Sequence, residues 1–307
     1  MDTIYYRQTR LLLKLLPLVG TEKVFALKGG TAINFFIRDL PRLSVDIDLA
    51  YIPVSDRNEA LKDIRKSLNA VALKILKMFP KARIAKKRIN DTGNLKGMII
   101  NADEASVKIE PNIVMRGTVY EPEIMELSQT ARDMFEMHVA VNSLSFAEVY
   151  AGKICAVLDR QHPRDLFDIH MLLANEGIDE KILKAFLVYL ISHPRPIAEL
   201  LNPNLKDIRA IFENEFKGMT RVEILLENLL EARDELISTV RNSLTYTEKA
   251  FLLSVKQGRP DWSLSGLERL EHIESLPAVR WKLKNIQKME KKKHRKAIAK
   301  LERYLSD

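Results

Sequence analysis

Apolar residues recur along this chain with two periods, and the change from one to the other divides it. From Asp2 to Leu18 the spacing is helical and closes at Pro17 and Gly20, which predicts a helix packed behind a first strand. Val24 to Leu27 is a short apolar run that meets Gly29-Gly30, a brief helical pattern and then a second strand ending at Leu49. Ser55 and Asp56 offer a cap for a long helix from about Arg57 to Phe79, stopped by Pro80. The period then falls to two. Ala82 to Ile89, Leu95 to Ala102, Ser106 to Met115 and Met134 to Ala140 read as strands, with Asp91-Thr92-Gly93-Asn94 turning between the first pair.

Beyond Ser145 no alternation persists. Ser145 and Glu148 form a capping-box pattern for a helix through about Asp159, and Pro163 suits the first turn of the next. Helical patterns follow over Asp179 to Ser192, Thr220 to Ser243, Tyr246 to Lys256, Ser265 to Glu274 and Ala278 to Leu305, with a proline-rich bend from His193 to Asn204. The expected fold class is α+β: a core with a mixed sheet over 1–143, then an all-helical domain over 144–307, with a possible subdivision near 200.

Composition narrows the function. An apolar fraction of 46% in 307 residues excludes a disordered chain, and the formal charge of +8 favours a polyanionic partner. Cys155 is the single cysteine, so no intramolecular disulfide forms, and its apolar helical surroundings suit a buried structural thiol. No apolar run is long enough to span a membrane and no signal-peptide pattern opens the chain, so a cytoplasmic protein without membrane contact is expected. The six histidines lack metal-ligand spacing, and His162, His170 and His193 suit caps or packing. A Walker loop, a Ser/His/Asp order and a Rossmann fingerprint are all missing.

Candidate chemistry gathers in two stretches. Alternation puts Ser44, Asp46 and Asp48 on one strand face, opposite Val45, Ile47 and Leu49. Paired carboxylates repel unless a cation lies between them, and Mg²⁺ prefers a few carboxylates together with phosphate oxygens. Beside them Gly29 and Gly30 allow backbone N–H groups close to an anion, and Arg42 adds a positive charge. This stretch therefore suits the holding of a metal-bound triphosphate. Glu110 is a candidate third carboxylate or proton acceptor, or an ordinary solvent-facing glutamate beside Lys108. The second stretch holds Lys153, Arg160, Arg164, Asp165 and Asp168; Lys153 and Arg160 share a helix face that could neutralise a triphosphate, while Arg164 and Asp168 could form a local i,i+4 ion pair. The basic run Lys282 to Arg303 suits a solvated helix, an RNA backbone or an acidic protein.

These motifs carry a resemblance. G-G-T-A, R-x-S-x-D-x-D-L, the later K-x-x-A-x-x-x-R-x-x-x-R-D-x-x-D, and near the C-terminus FLLSVKQGRPDW with P-A-V-R-W-K-L-K-N, together resemble the AbiEii/MenA-type nucleotidyltransferase toxins of type IV toxin–antitoxin and phage-defence systems. The resemblance implies a DNA-polymerase-β-like core, a helical C-terminal domain and Mg²⁺-dependent transfer of a nucleotide from an NTP, in some relatives to the 3′ end of tRNA. Residue by residue it gives Gly29, Gly30 and Ser44 contact with the triphosphate, Asp46 and Asp48 the metal, and Lys153 the second-motif lysine. Arg160, Arg164, Asp165 and Asp168 match the later element, and Glu110 stands where an aspartate is expected. A cleft completed by the helical domain, on which Ser44, Asp46, Asp48 and Lys153 converge, is the geometric expectation, and a small winged-helix antitoxin the expected partner. The alternatives are a non-catalytic nucleotide- or RNA-binding regulatory module and a small-molecule, antibiotic-type nucleotidyltransferase.

Overall fold

A computed structural model describes residues 4–89, 92–267 and 271–306. It is α+β, with two compact units: Met1–Val149 together with Lys217–Glu223, and Tyr150–Phe216 together with Ile224–Asp307.

The first unit is built on a seven-stranded mixed sheet. Its elements are helix α1 (Ile4–Val19), β1 (Phe25–Lys28), the short helix α2 (Gly29–Ala32) continuing into a π-helical turn at Ile33–Ile37, and β2 (Asp46–Tyr51). Helix α3 (Arg57–Met78), β3 (Arg83–Arg88), β4 (Leu95–Ala102), β5 (Ala105–Arg116), β6 (Glu123–Glu126), α4 (Gln129–Phe135) and β7 (Ala140–Ser143) follow. The strand order is β3-β4-β5-β2-β1-β7-β6, with β2–β5 and β1–β7 parallel and the other pairs antiparallel. Helices α1 and α3 pack on the sheet. Ile47, Leu49, Met98, Ile100, Val107 and Ile109 are fully buried, as alternation demands of one sheet face. The intervening residues Asp46, Asp48, Lys108 and Glu110 point the other way and stay half-exposed.

A distant segment completes this unit. Leu43 N–H donates to Met219 O at 3.0 Å, Arg221 N–H donates to Pro41 O at 2.9 Å, and Arg42 bridges Thr220 in antiparallel fashion.

The second unit is helical. Helix α5 (Phe146–Arg160) begins in the first unit; α6 (Pro163–Asn175), α7 (Glu180–Ser192), α8 (Ile197–Leu201), α9 (Arg209–Ile211), α10 (Leu226–Ser243), α11 (Tyr246–Gln257), α12 (Pro277–Gln287) and α13 (Lys291–Ser306) follow. Helix α10 packs on α6, α12 on α7, and α13 on α11 and α8. Thr245 and Glu248 close a reciprocal capping box at the start of α11, and Gly258 ends it at φ +85°. Lys282 is buried and donates to the carbonyls of His193 and Arg195, both 2.5 Å away, at the C-terminal end of α7. Burial, and then the charge of Lys256, pulls its ammonium down to about 8.

Several expected elements differ. Met134–Ala140 is not a strand: α4 runs to Phe135, Glu136 turns left-handed at φ +53°, and pairing starts only at Ala140. The apolar alternation Phe135, Met137, Val139 imitates a strand there, but Phe135 is fixed by stacking on Tyr6 at 4.9 Å. Pro17 lies inside the last turn of α1, where its fixed φ is helical. The helix expected over Ala278–Leu305 is two, because Glu290 caps a new start with its side chain accepting from Lys292 N–H at 3.3 Å. Of the helix expected over Ser265–Glu274, residues 265–267 are non-helical, 268–270 lie outside the described residues, and 271–275 form a 3-10 turn. Asp2 and Asp91 likewise lie outside the described residues. Asp56 holds the N-cap position of α3 without a side-chain hydrogen bond.

Glu148 shows how a local signal serves a tertiary end. Its N–H donates to Ser145 Oγ at 3.4 Å, but its carboxylate accepts from the N–H groups of Val119 and Tyr120 at 2.9 and 3.1 Å. Replacing Glu148 by Ala strands those buried donors, so we expect Glu148→Ala to lower unfolding free energy by about 2 kcal/mol in urea titration, with Glu148→Gln losing less.

Candidate active site

The diglycine turn is where β1 stops pairing with β2. Lys28 faces Asp48 in the antiparallel register, and the chain then turns at Gly29, φ +72°, into α2. Two constraints make Gly29 a glycine: the left-handed φ, and a Cβ that would lie 2.9 Å from Asp48 Oδ2. At Gly30 a Cβ would meet Arg42 Nη2 at 2.7 Å and Ser44 Oγ at 3.4 Å. Gly29 therefore packs against Asp48, and Gly30 against Arg42 and Ser44.

Two residues not singled out from sequence hold that proximity in place. Thr31 Oγ1 donates within reach of both Ser44 Oγ at 2.9 Å and Asp46 O at 2.6 Å, tying α2 to the start of β2. Asn34 Nδ2 donates to Gly30 O at 2.9 Å and fixes the turn from behind. Thr9 of α1 adds a hydrogen bond to Ser44 O at 3.2 Å. Thr31 follows the glycines directly, and a hydroxyl donor at that place in the turn was the available signal. Arg42 is 2% exposed and donates to Leu43 O at 2.9 Å; its loop is clamped by the segment around Thr220, which nothing local in sequence announces.

Asp46 and Asp48 share a face of β2. On parallel β5 their register partners are Lys108 and Glu110, so three carboxylates and a lysine occupy one side of two adjacent strands. Glu110 is nevertheless engaged elsewhere: it pairs with Lys108 and, at 3.5 Å, with Lys87 of β3. Its Cγ lies over Gly97 of β4, where a Cβ would come within 2.9 Å. Among the described residues no three His, Cys, Asp or Glu side chains converge as metal ligands.

The second cluster lies at the α5–α6 junction. Lys153 Nζ sits between Asp165 Oδ1 at 2.8 Å and Asp168 Oδ2 at 2.9 Å, and all three residues are at most 6% exposed. Arg160 grips Asp165 with two bonds, Nε to Oδ2 at 2.6 Å and Nη2 to Oδ1 at 3.0 Å. Lys153 and Arg160 thus use the shared helix face to meet one carboxylate. Burial alone would raise Asp165's pKa, but the Lys153 charge and the Arg160 hydrogen bond outweigh it and hold the carboxyl well below the usual range. Arg164 does not form the i,i+4 pair with Asp168, which turns inward to Lys153. His162 caps α6, its Nδ1 accepting from Arg164 N–H at 3.2 Å, and Pro163 occupies the first turn. Cys155 is buried and its thiol is pushed far above its ordinary value by that burial, then by Asp159, which makes it inert.

Lys153 compensates two buried carboxylates, so Lys153→Met should destabilise by about 3–5 kcal/mol by equilibrium unfolding. Asp165's folded pKa lies below its unfolded value near 3.9, so its contribution is present above about pH 4 and lost as pH falls further. The wild type should lose stability below pH 4 more steeply than Asp165→Asn.

No curated protein matches the sequence. Among solved structures, MenT4, a nucleotidyltransferase toxin from Mycobacterium tuberculosis H37Rv, superposes with a TM-score of 0.58 over 98% of this chain and 95% of that one, at 12% identity, a likeness of fold alone. No described helix is long and apolar enough to cross a membrane. Over residues 10–285 the sequence matches the family described as nucleotidyl transferase AbiEii toxin of type IV toxin–antitoxin systems. The chain therefore belongs to the AbiEii family of nucleotidyltransferase toxins, a family whose type IV systems pair each toxin with an antitoxin.

Proposed function

We propose that this toxin transfers an NMP from an NTP to the 3′ end of tRNA, using Mg²⁺ bound by Asp46 and Asp48. The observation that carries the reading is the packing of Gly29 against Asp48 and of Gly30 against Arg42 and Ser44. Asp46 and Asp48 suit a small hard cation, since both carboxylates leave the same strand face beside a glycine whose missing Cβ keeps Asp48 Oδ2 open. Mg²⁺ held there would neutralise charge on the α-phosphate and the departing pyrophosphate.

This chain's own groups do the rest. N–H groups of the diglycine turn and the Ser44 hydroxyl bind phosphate oxygens, and Arg42 adds positive charge behind them. The tRNA 3′-hydroxyl oxygen bonds to the α-phosphorus, the bond to pyrophosphate breaks, and the hydroxyl proton passes to Glu110. The exposed Arg160 is assigned the leaving charge, with the buried Lys153 supporting it through their shared Asp165, Asp168 orienting Lys153, and Arg164 binding phosphate. In this reading residues 1–143 are the polymerase-β-like catalytic core and 144–307 the helical domain. The charge of +8 supports an RNA acceptor, and a winged-helix antitoxin is the proposed partner in the cytoplasm.

The test incubates wild type and variants with each labelled NTP, Mg²⁺ and total tRNA, and identifies products by mass spectrometry. Wild type should extend tRNA 3′ ends, Asp48→Asn should lose at least about 100-fold in rate, and label transfer surviving in Asp48→Asn would sink the mechanism. Transfer to small hydroxyl compounds instead of tRNA would reassign the acceptor. Gly29→Ala should also reduce transfer sharply, because its Cβ displaces Asp48, while costing about 1–2 kcal/mol of stability. Glu110→Gln should slow turnover without changing NTP affinity; an unchanged kcat would reduce Glu110 to an anchor for Lys87 and Lys108.

A further inference from the structure

Some cations of the first unit are paired with carboxylates: Arg7 with Glu104, Lys14 with Asp103, Lys74 with Glu22, and Lys87 and Lys108 with Glu110. One groove gathers cations that are not. Between α3 and the β3–β4 hairpin lies a depression of about 460 Å³ lined by Lys62, Arg65, Lys66, Asn69, Lys86 and Arg88. Among the described residues none of these five cations pairs with a carboxylate; Lys86 alone has a polar side-chain partner, Asn69 Oδ1 at 2.7 Å. All five are exposed. Gly93 closes one end with no side chain, and a Cβ there would stand 3.9 Å from Arg65 Nη1.

The charges form two rows. Lys62 and Lys66 lie one helical turn apart, about 6 Å, with Arg65 on the same face. Lys86 and Arg88 alternate on one face of β3, spaced by about 6.6 Å. Two rows of cations facing one groove suit a run of repeating phosphates. The lining offers almost no apolar anchor of the kind a protein partner's interface core is built on, Leu95 being buried. Lysines do guard edge strands such as β3 against mispairing, but that role places no cations on α3.

We propose that this groove binds the phosphodiester backbone of the RNA acceptor. The choice of RNA rests on the tRNA reading above. Recognition is of phosphate charge and not of bases, so affinity is steeply salt-dependent.

The test is fluorescence anisotropy with labelled tRNA in buffer containing EDTA and no nucleotide, from 50 to 200 mM NaCl. The proteins are wild type, Asp48→Asn, the triple variant Lys62→Ala/Arg65→Ala/Lys66→Ala, the double variant Lys86→Ala/Arg88→Ala, and Lys62→Arg/Lys66→Arg/Lys86→Arg. Wild type, Asp48→Asn and the arginine variant should bind alike. Each alanine variant should bind about tenfold or more weakly at 100 mM salt, with a log–log salt slope shallower by about 1 to 2, at unchanged melting temperature. Alanine variants that bind tRNA with wild-type affinity and slope would overturn the proposal. So would a groove change that weakens binding of purified antitoxin alone, which would assign the surface to the protein partner. Groove-dependent binding without any transfer to tRNA would defeat the catalytic reading and leave the groove standing.

Discussion

The first unit depends on one antiparallel pairing, Phe25–Lys28 against Asp48–Tyr51. It brings the end of one strand level with the carboxylate of the next, so that the turn leaving β1 must pass beside Asp48. A left-handed φ and a contact of 2.9 Å to an absent Cβ leave only glycine at that point. From this constraint the other parts follow. The helix that starts at the turn presents Thr31 to the Ser44 loop, and the buried faces of β2 and β5 fix the register that lines Glu110 beside Asp48. The candidate site is thus a by-product of strand alignment, held by backbone geometry before any side chain is considered.

The second unit uses the opposite strategy, a charge buried among charges. Removing Lys153, Asp165 and Asp168 from water is unfavourable by several kcal/mol per ion, offset because the ammonium sits at hydrogen-bond distance from both carboxylates and Arg160 adds two bonds to Asp165. Such clusters add little net stability over apolar packing, yet they tolerate no missing member. Arg160 differs: its side chain is 62% exposed, so its grip on Asp165 can loosen while the inner triad keeps its geometry.

What could be read from sequence divides along the same line. Alternation through Val45–Leu49 was enough to assign the shared face of Asp46 and Asp48, and Pro163 with the apolar spacing around it marked α6, because those signals are local. Family motifs marked the diglycine for contact with a triphosphate; that Gly29 lies against Asp48 and Gly30 against Arg42 came only from the structure. Glu148 was legible as a capping residue but not as the acceptor for Val119 and Tyr120, since its partners lie 28 and 29 positions away. The same holds for Arg164 and Asp168, where i,i+4 spacing suggested a pair and a buried lysine from another helix won. Phe135 to Val139 misled because an apolar alternation and a helix end give similar patterns over so few residues.

The return of Lys217–Glu223 to the first unit sets an order of assembly. The Pro41–Leu43 loop that positions Arg42 finds its pairing partner only after a whole helical segment has been made. On a ribosome adding 5–20 residues per second, the interval between Val149 and Glu223 is on the order of ten seconds. Throughout it the nascent chain carries its glycine turn and both carboxylates with the Arg42 loop unclamped, so maturation of the site is timed by translation itself.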